Sequence, residues 1–145
     1  MLEVDVVRIS VIVPIYNVKL YIERCVRSLM EQTLENIEFI FVNDCTPDDS
    51  MDILHYVLEE YPKRREQIKI IEHETNRGIS AVRNTGLKNA TGQYIIYCDS
   101  DDWVEKNMYE KLLVKALETS ADIVGCDFFD DYVAHSTIRK QLFPQ

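Results

Sequence analysis

The chain alternates short β-branched runs with amphipathic stretches. Arg8 to Val13, Glu38 to Val42, Ile68 to Ile71, Tyr94 to Cys98 and Asp122 to Cys126 read as strands. Between them, Val18, Ile22, Cys25, Val26 and Leu29 form one helical face, with Asn17 placed as its cap. Ile53, Leu54, Val57, Leu58 and Tyr61 repeat the stripe after Pro47-Asp48-Asp49, and Pro62 ends it. A third helix is expected from about Ser80 to Ala90 with Gly92 as its stop, and a fourth carries Tyr109, Leu112, Leu113, Ala116 and Leu117. Strands this apolar, each followed by a helix, need a sheet covered on both faces, so the expected fold is a three-layer α/β/α sandwich with a mainly parallel sheet. The charge run Lys63 to Glu66 is expected to be a solvated connection, and Phe128, Phe129, Tyr132 and Val133 make the tail too apolar for a free terminus.

Ligands of open parallel sheets bind beyond the carboxyl ends of the strands. Those ends read Pro14-Ile15-Tyr16-Asn17, Asn43-Asp44-Cys45-Thr46, Glu72 to Asn76, and Asp99-Ser100-Asp101-Asp102. The last delivers three acids directly after an apolar run. Crowded carboxylates repel one another and suit a hard cation such as Mg²⁺ or Mn²⁺, with phosphate and water completing its shell. Spacing alone leaves the other reading open, in which Asp101 or Asp102 caps the following helix. Asp44 is either a hydrogen-bond acceptor for a base or ribose or a helix cap, and Arg77 and Arg83 either grip phosphates or pair with the acidic rim.

Other chemistries fit poorly. Twenty-five acidic against sixteen basic residues give a net charge of -9, which argues against nucleic acid and anionic lipid surfaces. The four glycines form neither a dinucleotide fingerprint nor a P-loop. His55, His73 and His135 lack metal-ligand spacing and read as structural or exposed. A receiver domain or an Asp-x-Asp phosphatase needs its acids after the first strand, where this chain has Pro14 to Asn17. Cys25, Cys45, Cys98 and Cys126 form no C-x-x-C pair and read as reduced thiols of a cytosolic protein. The acidic start is unlike a signal peptide, and the first apolar stretch is too short to span a bilayer.

Taken in order, Ser10 to Asn17, Asn43-Asp44 with Thr46 and Asp48, Asn76-Arg77-Gly78, Ala81 to Gly86, and Asp99-Ser100-Asp101-Asp102 resemble the family 2 glycosyltransferases of GT-A fold over about residues 8 to 127. The resemblance implies that Asp44 and Arg83 hold base and ribose, that Pro14, Tyr16 and Asn17 shape the pocket floor, and that Asn76, Arg77, Gly78 and Ser100 complete the nucleotide-sugar site. It also implies that Asp99 and Asp101 form the metal-binding pair, with Asp101 the first choice for Mn²⁺ or Mg²⁺ and Asp102 an outer ligand or loop-ordering group. The chain departs from the usual wording at Asn43, where Asp is common, and at Cys45, where Gly is common.

The implied reaction is inverting transfer from a nucleotide-diphospho-sugar, UDP by default, to a glycan or lipid-linked acceptor. The implied setting is cytoplasmic, with membrane association at most peripheral. Residues 1–145 are expected to be a single donor-binding domain truncated on its C-terminal side, with the general base beyond Gln145, binding donor weakly and transferring little or no sugar. A non-catalytic nucleotide-sugar-binding module of the same fold is the alternative.

Overall fold

A computed structural model describes residues 8–131 and 136–139. They fall into two compact units, one reaching Tyr109 and one starting at Glu110.

The first unit holds four parallel strands, β1 (Ile9–Ile15), β2 (Ile37–Asn43), β3 (Ile68–Glu72) and β4 (Tyr94–Tyr97), in the spatial order β3-β2-β1-β4. Helices α1 (Ile22–Met30), α2 (Ser50–Glu59) and α3 (Ile79–Asn89) connect them. Right-handed crossovers require that α1 and α2, which carry the chain outward from β1 to β3, lie on one face, and that α3, which returns it to β4, lies on the other. Packing agrees. Ile12, Ile40 and Val42 form one buried cluster with Val82 of α3, while α1 and α2 pack together and bury Cys25, Val26, Leu29, Leu54 and Val57. The α/β sandwich expected from the sequence is therefore present.

Burial is greatest in the central strands, β1 throughout and β2 up to Val42. Every residue of β1 is buried, whereas β4 is half-buried, because among the described residues it lies at an edge of the four-stranded sheet with one neighbour. The acid turn thus follows a half-exposed run rather than a buried one.

At the amino end of the sheet an ionic network ties three of its elements, β1, β2 and β3, to the loop between α3 and β4. Glu38, inward-facing on β2, accepts a hydrogen bond from Ser10 Oγ at 2.5 Å, from Thr91 N at 2.6 Å and from Thr91 Oγ1 at 3.0 Å, and pairs with Lys69 Nζ at 2.8 Å. Burial alone would raise its pKa, but Lys69, Ser10 and Thr91 hold it at about 2 against an ordinary 4.5. The folded value is depressed, so the stability it contributes is present above the ordinary carboxyl range and is lost as pH falls from there toward 2. Up to about 3 kcal/mol is at stake by this linkage. Urea titrations between pH 7 and 3 should show wild-type stability falling with acid, and Glu38→Gln, already less stable at pH 7, should show a visibly flatter slope.

Several sequence expectations change. Asn17 is not the cap of α1: it adopts a left-handed φ of 53°, and the helix starts only at Ile22 after a turn in which Val18 O accepts from Tyr21 N and Ile22 N. Asparagine tolerates that conformation where a glycine would otherwise be needed. The charge run after α2 is not merely solvated, for Pro62–Gln67 coil into a 3₁₀ turn that buries Arg64. Its guanidinium donates to the carbonyls of Met30, Gln32 and Leu34, closing the end of α1 and the loop beyond it.

The second unit contains most of α4 (Met108–Thr119) and a hairpin of β5 (Phe128–Asp131) paired antiparallel with β6 (Ser136–Arg139). Asp122 to Cys126 is not a strand; Ile123 there is 88% exposed, so its apolar character reflects no sheet burial. The apolar tail does form a strand, at Phe128, whereas Tyr132 and Val133 lie outside the described residues. On α4, Tyr109, Leu113 and Ala116 are buried as expected, and Leu117 is exposed. No helix among the described residues is long and apolar enough to cross a membrane.

Candidate functional site

Strand order reverses between β1 and β4, so the crevice outside their carboxyl ends is where this topology holds ligands. Asp44 lies beside it, one residue beyond β2 and 3% exposed. It does not cap the helix that follows it. Its Oδ1 accepts from Arg77 N at 2.9 Å and sits 2.8 Å from His73 Nδ1, and its Oδ2 accepts from Gly78 N at 2.8 Å. Burial pushes the carboxyl up, but the hydrogen bonds from His73, Arg77 and Gly78 outweigh it and hold Asp44 below the usual carboxylate range. Gly78 meets this arrangement with a φ of 83°, a conformation that strains any side chain.

The loops around Asp44 are tied to one another. Asn43 Oδ1 accepts from Thr46 N at 2.9 Å, forming a turn in which Cys45 takes a left-handed φ of 58°. That strained backbone explains why glycine suits the position better than cysteine. Three successive amides of the β1–α1 loop are then satisfied from the β2–α2 loop: Asn17 N by Thr46 Oγ1 at 2.9 Å, Val18 N by Ser50 Oγ at 3.1 Å, and Lys19 N by Asp48 Oδ2 at 3.1 Å. Asp48 also accepts from Thr46 Oγ1, Ser50 N and Ser50 Oγ. Burial opposes its ionisation, yet Ser50, Thr46 and the Lys19 amide bring its pKa down to about 2.

Beyond β4, Ser100 is buried and donates from Oγ to Pro14 O at 2.6 Å, pinning the acid turn to the end of β1. Asp102 N closes the turn on Asp99 O at 3.0 Å. Neither Asp101 nor Asp102 caps a helix, because α4 starts only at Met108. Loss of solvation in the turn, with the charges of Asp101 and Asp99, pushes the Asp102 carboxyl above the usual range. Among the described residues no three His, Cys, Asp or Glu side chains converge as a ready-made metal cage. Two thiols lie beneath: Cys25 and Cys98 are buried, with their Sγ atoms 3.8 and 3.7 Å from Asp99 O. The hydrogen bond to Cys98 and then burial push the Cys25 thiol well above its ordinary range, so it stays protonated.

Arg83 joins the two halves of the site. It projects from α3 with Nη2 3.2 Å from Asp99 Oδ1 and its guanidinium 5.5 Å from the Tyr97 ring centroid. This is the rim ion pair left open by the sequence, half-exposed and worth little by itself. Its Nε is buried and has no hydrogen-bond partner among the described residues.

The structure thus links Pro14 to Ser100, Asn17 to Thr46, Asp44 to Arg77 and Gly78, and Arg83 to Asp99. Tyr16 is 44% exposed at the end of β1. Asn76 and the side chains of Arg77, Asp101 and Asp102 are exposed, and Asp102 is tied to the others through its backbone N–H to Asp99 O. Sequence reasoning missed His73 and Thr85, whose Oγ1 lies 2.8 Å from His73 Nε2, as parts of this network. The signal was position, since His73 is the first residue beyond β3.

The sequence model of the family described as "Glycosyl transferase family 2" matches residues 10–143. The chain belongs to glycosyltransferase family 2. It is 48% identical over 137 residues to the uncharacterized glycosyltransferase EpsJ of Bacillus subtilis (strain 168), covering 94% of this chain and 38% of EpsJ. It is 43% identical over 122 residues to the glycosyltransferase GlyA of Streptococcus pneumoniae serotype 4, covering 84% of this chain and 17% of GlyA. This family 2 chain therefore spans well under half the length of these relatives.

Among solved structures it resembles S. aureus TarS 1-349 in complex with UDP, at 32% identity and a TM-score of 0.70 over 79% of this chain and 33% of that one. It also resembles the mannosyltransferase PcManGT of Pyrobaculum calidifontis, in complex with GDP-Man and Mn²⁺, at 26% identity and a TM-score of 0.67 over 79% of this chain and 32% of that one. The GT-A fold expected from the sequence is the fold of these neighbours.

Proposed function

We propose that this chain is the donor-binding part of a glycosyltransferase that moves a sugar from a nucleotide-diphospho-sugar to an acceptor hydroxyl with inversion, assisted by Mn²⁺ or Mg²⁺. The observation that carries this reading is Arg83, charged, aimed at the acid turn and left with an unpartnered buried Nε–H. A buried donor without an acceptor is rare in a finished structure, and an oxygen-rich ligand satisfies it. Asp44 complements it as a preorganised acceptor for a base or ribose N–H or O–H. TarS with UDP and PcManGT with GDP-Man support the donor class, and TarS, the more similar of the two, makes UDP the first nucleotide to try.

In this reading Asp44 and Arg83 hold base and ribose, with Pro14, Tyr16 and Asn17 as the floor. Asn76, Arg77, Gly78 and Ser100 complete the donor site, Arg77 reaching the diphosphate bidentately. The carboxylates of Asp101 and Asp99 hold the metal, with Asp102 as an outer ligand. Their chemistry fits a hard divalent cation: they are oxygen donors on one short turn, and the loss of solvation and, after it, the like-charge repulsion that lift Asp102 are both offset by a cation. When bound, the metal supplies charge neutralisation of the diphosphate leaving group. Asp127, Asp130 and Asp131 are not assigned as general base, and the acceptor, glycan or lipid-linked, is recognised by other parts of the protein.

Calorimetry of this chain with UDP, GDP and UDP-sugars, with and without Mn²⁺, tests the reading. Metal-dependent nucleotide binding is expected, with the metal-dependent part lost in Asp101→Ala. Metal-independent binding unchanged in that variant sinks the metal assignment, and no binding in any combination sinks the donor-site reading.

A further inference from the structure

We propose that His73 is a positioning residue of the nucleotide site, which sets the Asp44 carboxylate and the helix bearing Arg83 in one register; this rests on reading Asp44 and Arg83 as donor-binding groups. His73 is 9% exposed, and both its ring nitrogens are engaged. Nδ1 lies 2.8 Å from Asp44 Oδ1 and Nε2 lies 2.8 Å from Thr85 Oγ1, while the backbone N–H donates to Asn43 O at 2.9 Å.

The partners fix the proton positions. An ionised carboxylate only accepts, so Nδ1 carries the hydrogen toward Asp44. In the neutral ring Nε2 is then an acceptor, and the Thr85 hydroxyl donates to it. A continuous hydrogen-bonded chain results, from Thr85 through the imidazole to Asp44, linking α3 with the residues just beyond β3 and β2.

Thr85 stands two residues after Arg83 on the same helix. The relay therefore joins the proposed acceptor of the site to the element that carries its proposed donor. It also uses up one of the roughly four acceptor positions of the Asp44 carboxylate. The amides of Arg77 and Gly78 use two more, which leaves one on Oδ2 for a ligand. A group that only filled space would need neither nitrogen bonded, and a group that only bound Asp44 would not need Thr85. Histidine at this place fixes which lone pair of Asp44 stays free and holds it at a set distance from α3.

The residues 1–145 chain with Mn²⁺ should be titrated with UDP and, separately, with inorganic diphosphate, for wild type, His73→Ala, His73→Asn and Thr85→Val. His73→Ala and Thr85→Val are expected to weaken UDP by about tenfold, the loss of one hydrogen bond to a charged group or of its anchor. Diphosphate binding should stay within about twofold, because diphosphate engages neither Asp44 nor the base and ribose pocket. His73→Asn, whose amide can still donate to Asp44 but does not also reach Thr85, should bind UDP no better than Thr85→Val.

Equal UDP affinity in wild type and His73→Ala overturns the proposal while leaving the nucleotide reading intact. A parallel loss of UDP and diphosphate marks His73 as merely structural and overturns it too. A wild type that binds diphosphate with Mn²⁺ but no UDP removes the base and ribose reading itself, and this proposal with it. If His73→Ala does not fold, Thr85→Val decides: selective loss of UDP supports the relay, and unchanged UDP affinity rejects it.

Discussion

Asp44→Ala is expected to lower stability by about 3 to 5 kcal/mol and to remove measurable nucleotide binding, the largest double effect of any single site in this chain. The reason is the number of buried donors that lose their acceptor at once. The His73 ring and the amides of Arg77 and Gly78 all point at this carboxylate, and each stranded donor costs about 1 to 3 kcal/mol before relaxation and water recover part of it. Asp44→Asn should cost less, because one amide oxygen still accepts, yet its NH₂ meets a donor on the other side. Urea denaturation at pH 7 gives the first effect and calorimetry with UDP the second. The acid limb adds a check of sign. Asp44 is held below its usual range in the folded state, so its stabilisation is complete above that range and is lost as pH falls from there through the lower folded value, and the alanine variant should lack this part of the acid dependence. A loss below about 1 kcal/mol would mean that the loop carrying Arg77 and Gly78 is held by something else.

Gly92→Ala is expected to be the most damaging change away from the site, at about 3 kcal/mol or more. A Cβ at this position would lie 2.6 Å from both Ser10 N and Ser10 Oγ and 2.8 Å from Ile9 C. Two of those contacts are backbone atoms of β1, which is hydrogen-bonded on both sides and buried along its whole length, so it cannot yield. Gly92 N also donates to Ser10 Oγ at 2.8 Å within the Glu38 network, and displacement would disturb a buried ionic group as well. Gly86→Ala is the instructive comparison. Its Cβ would come 2.3 Å from Ile12 Cγ2, a closer approach but to a side chain that Ile12→Ala removes. Thermal denaturation should show Gly86→Ala improved by Ile12→Ala, relative to the sum of the two single losses, and Gly92→Ala not improved by Ser10→Ala. Recovery in the second pair would place the obstruction on the hydroxyl rather than on the backbone.

What could be read from the sequence is what depends on near neighbours. Apolar period and turn residues located the four parallel strands and four helices, because central strands such as Ile9–Ile15 have no solvent face and so no polar alternation. The acids at the strand ends were visible for the same reason, as polar groups directly after apolar runs. The failures have one cause in common, which is that the deciding partner lies far along the chain. Arg64 looks like any charged surface residue until the carbonyls of residues 30 to 34 are brought to it. His73 looks idle until Asp44 and Thr85 flank it. Asn17 resembles a helix cap because its type suits both a cap and a left-handed turn, and only Thr46, across 29 positions, selects between them. Asp122 to Cys126 differs in cause: its β-branched pair resembles a strand, but no neighbouring strand exists for it among the described residues.

The hydrogen bonds that three consecutive amides of residues 17 to 19 donate to Thr46, Ser50 and Asp48 bear on how this protein can be re-engineered. The shape of the first loop is written in the second, so a chimera that imports residues 16 to 21 from a relative with different residues at 46, 48 and 50 receives a segment without its template. The two loops form one cassette. Exchanged together they should carry their geometry into a new background, and exchanged singly they should not.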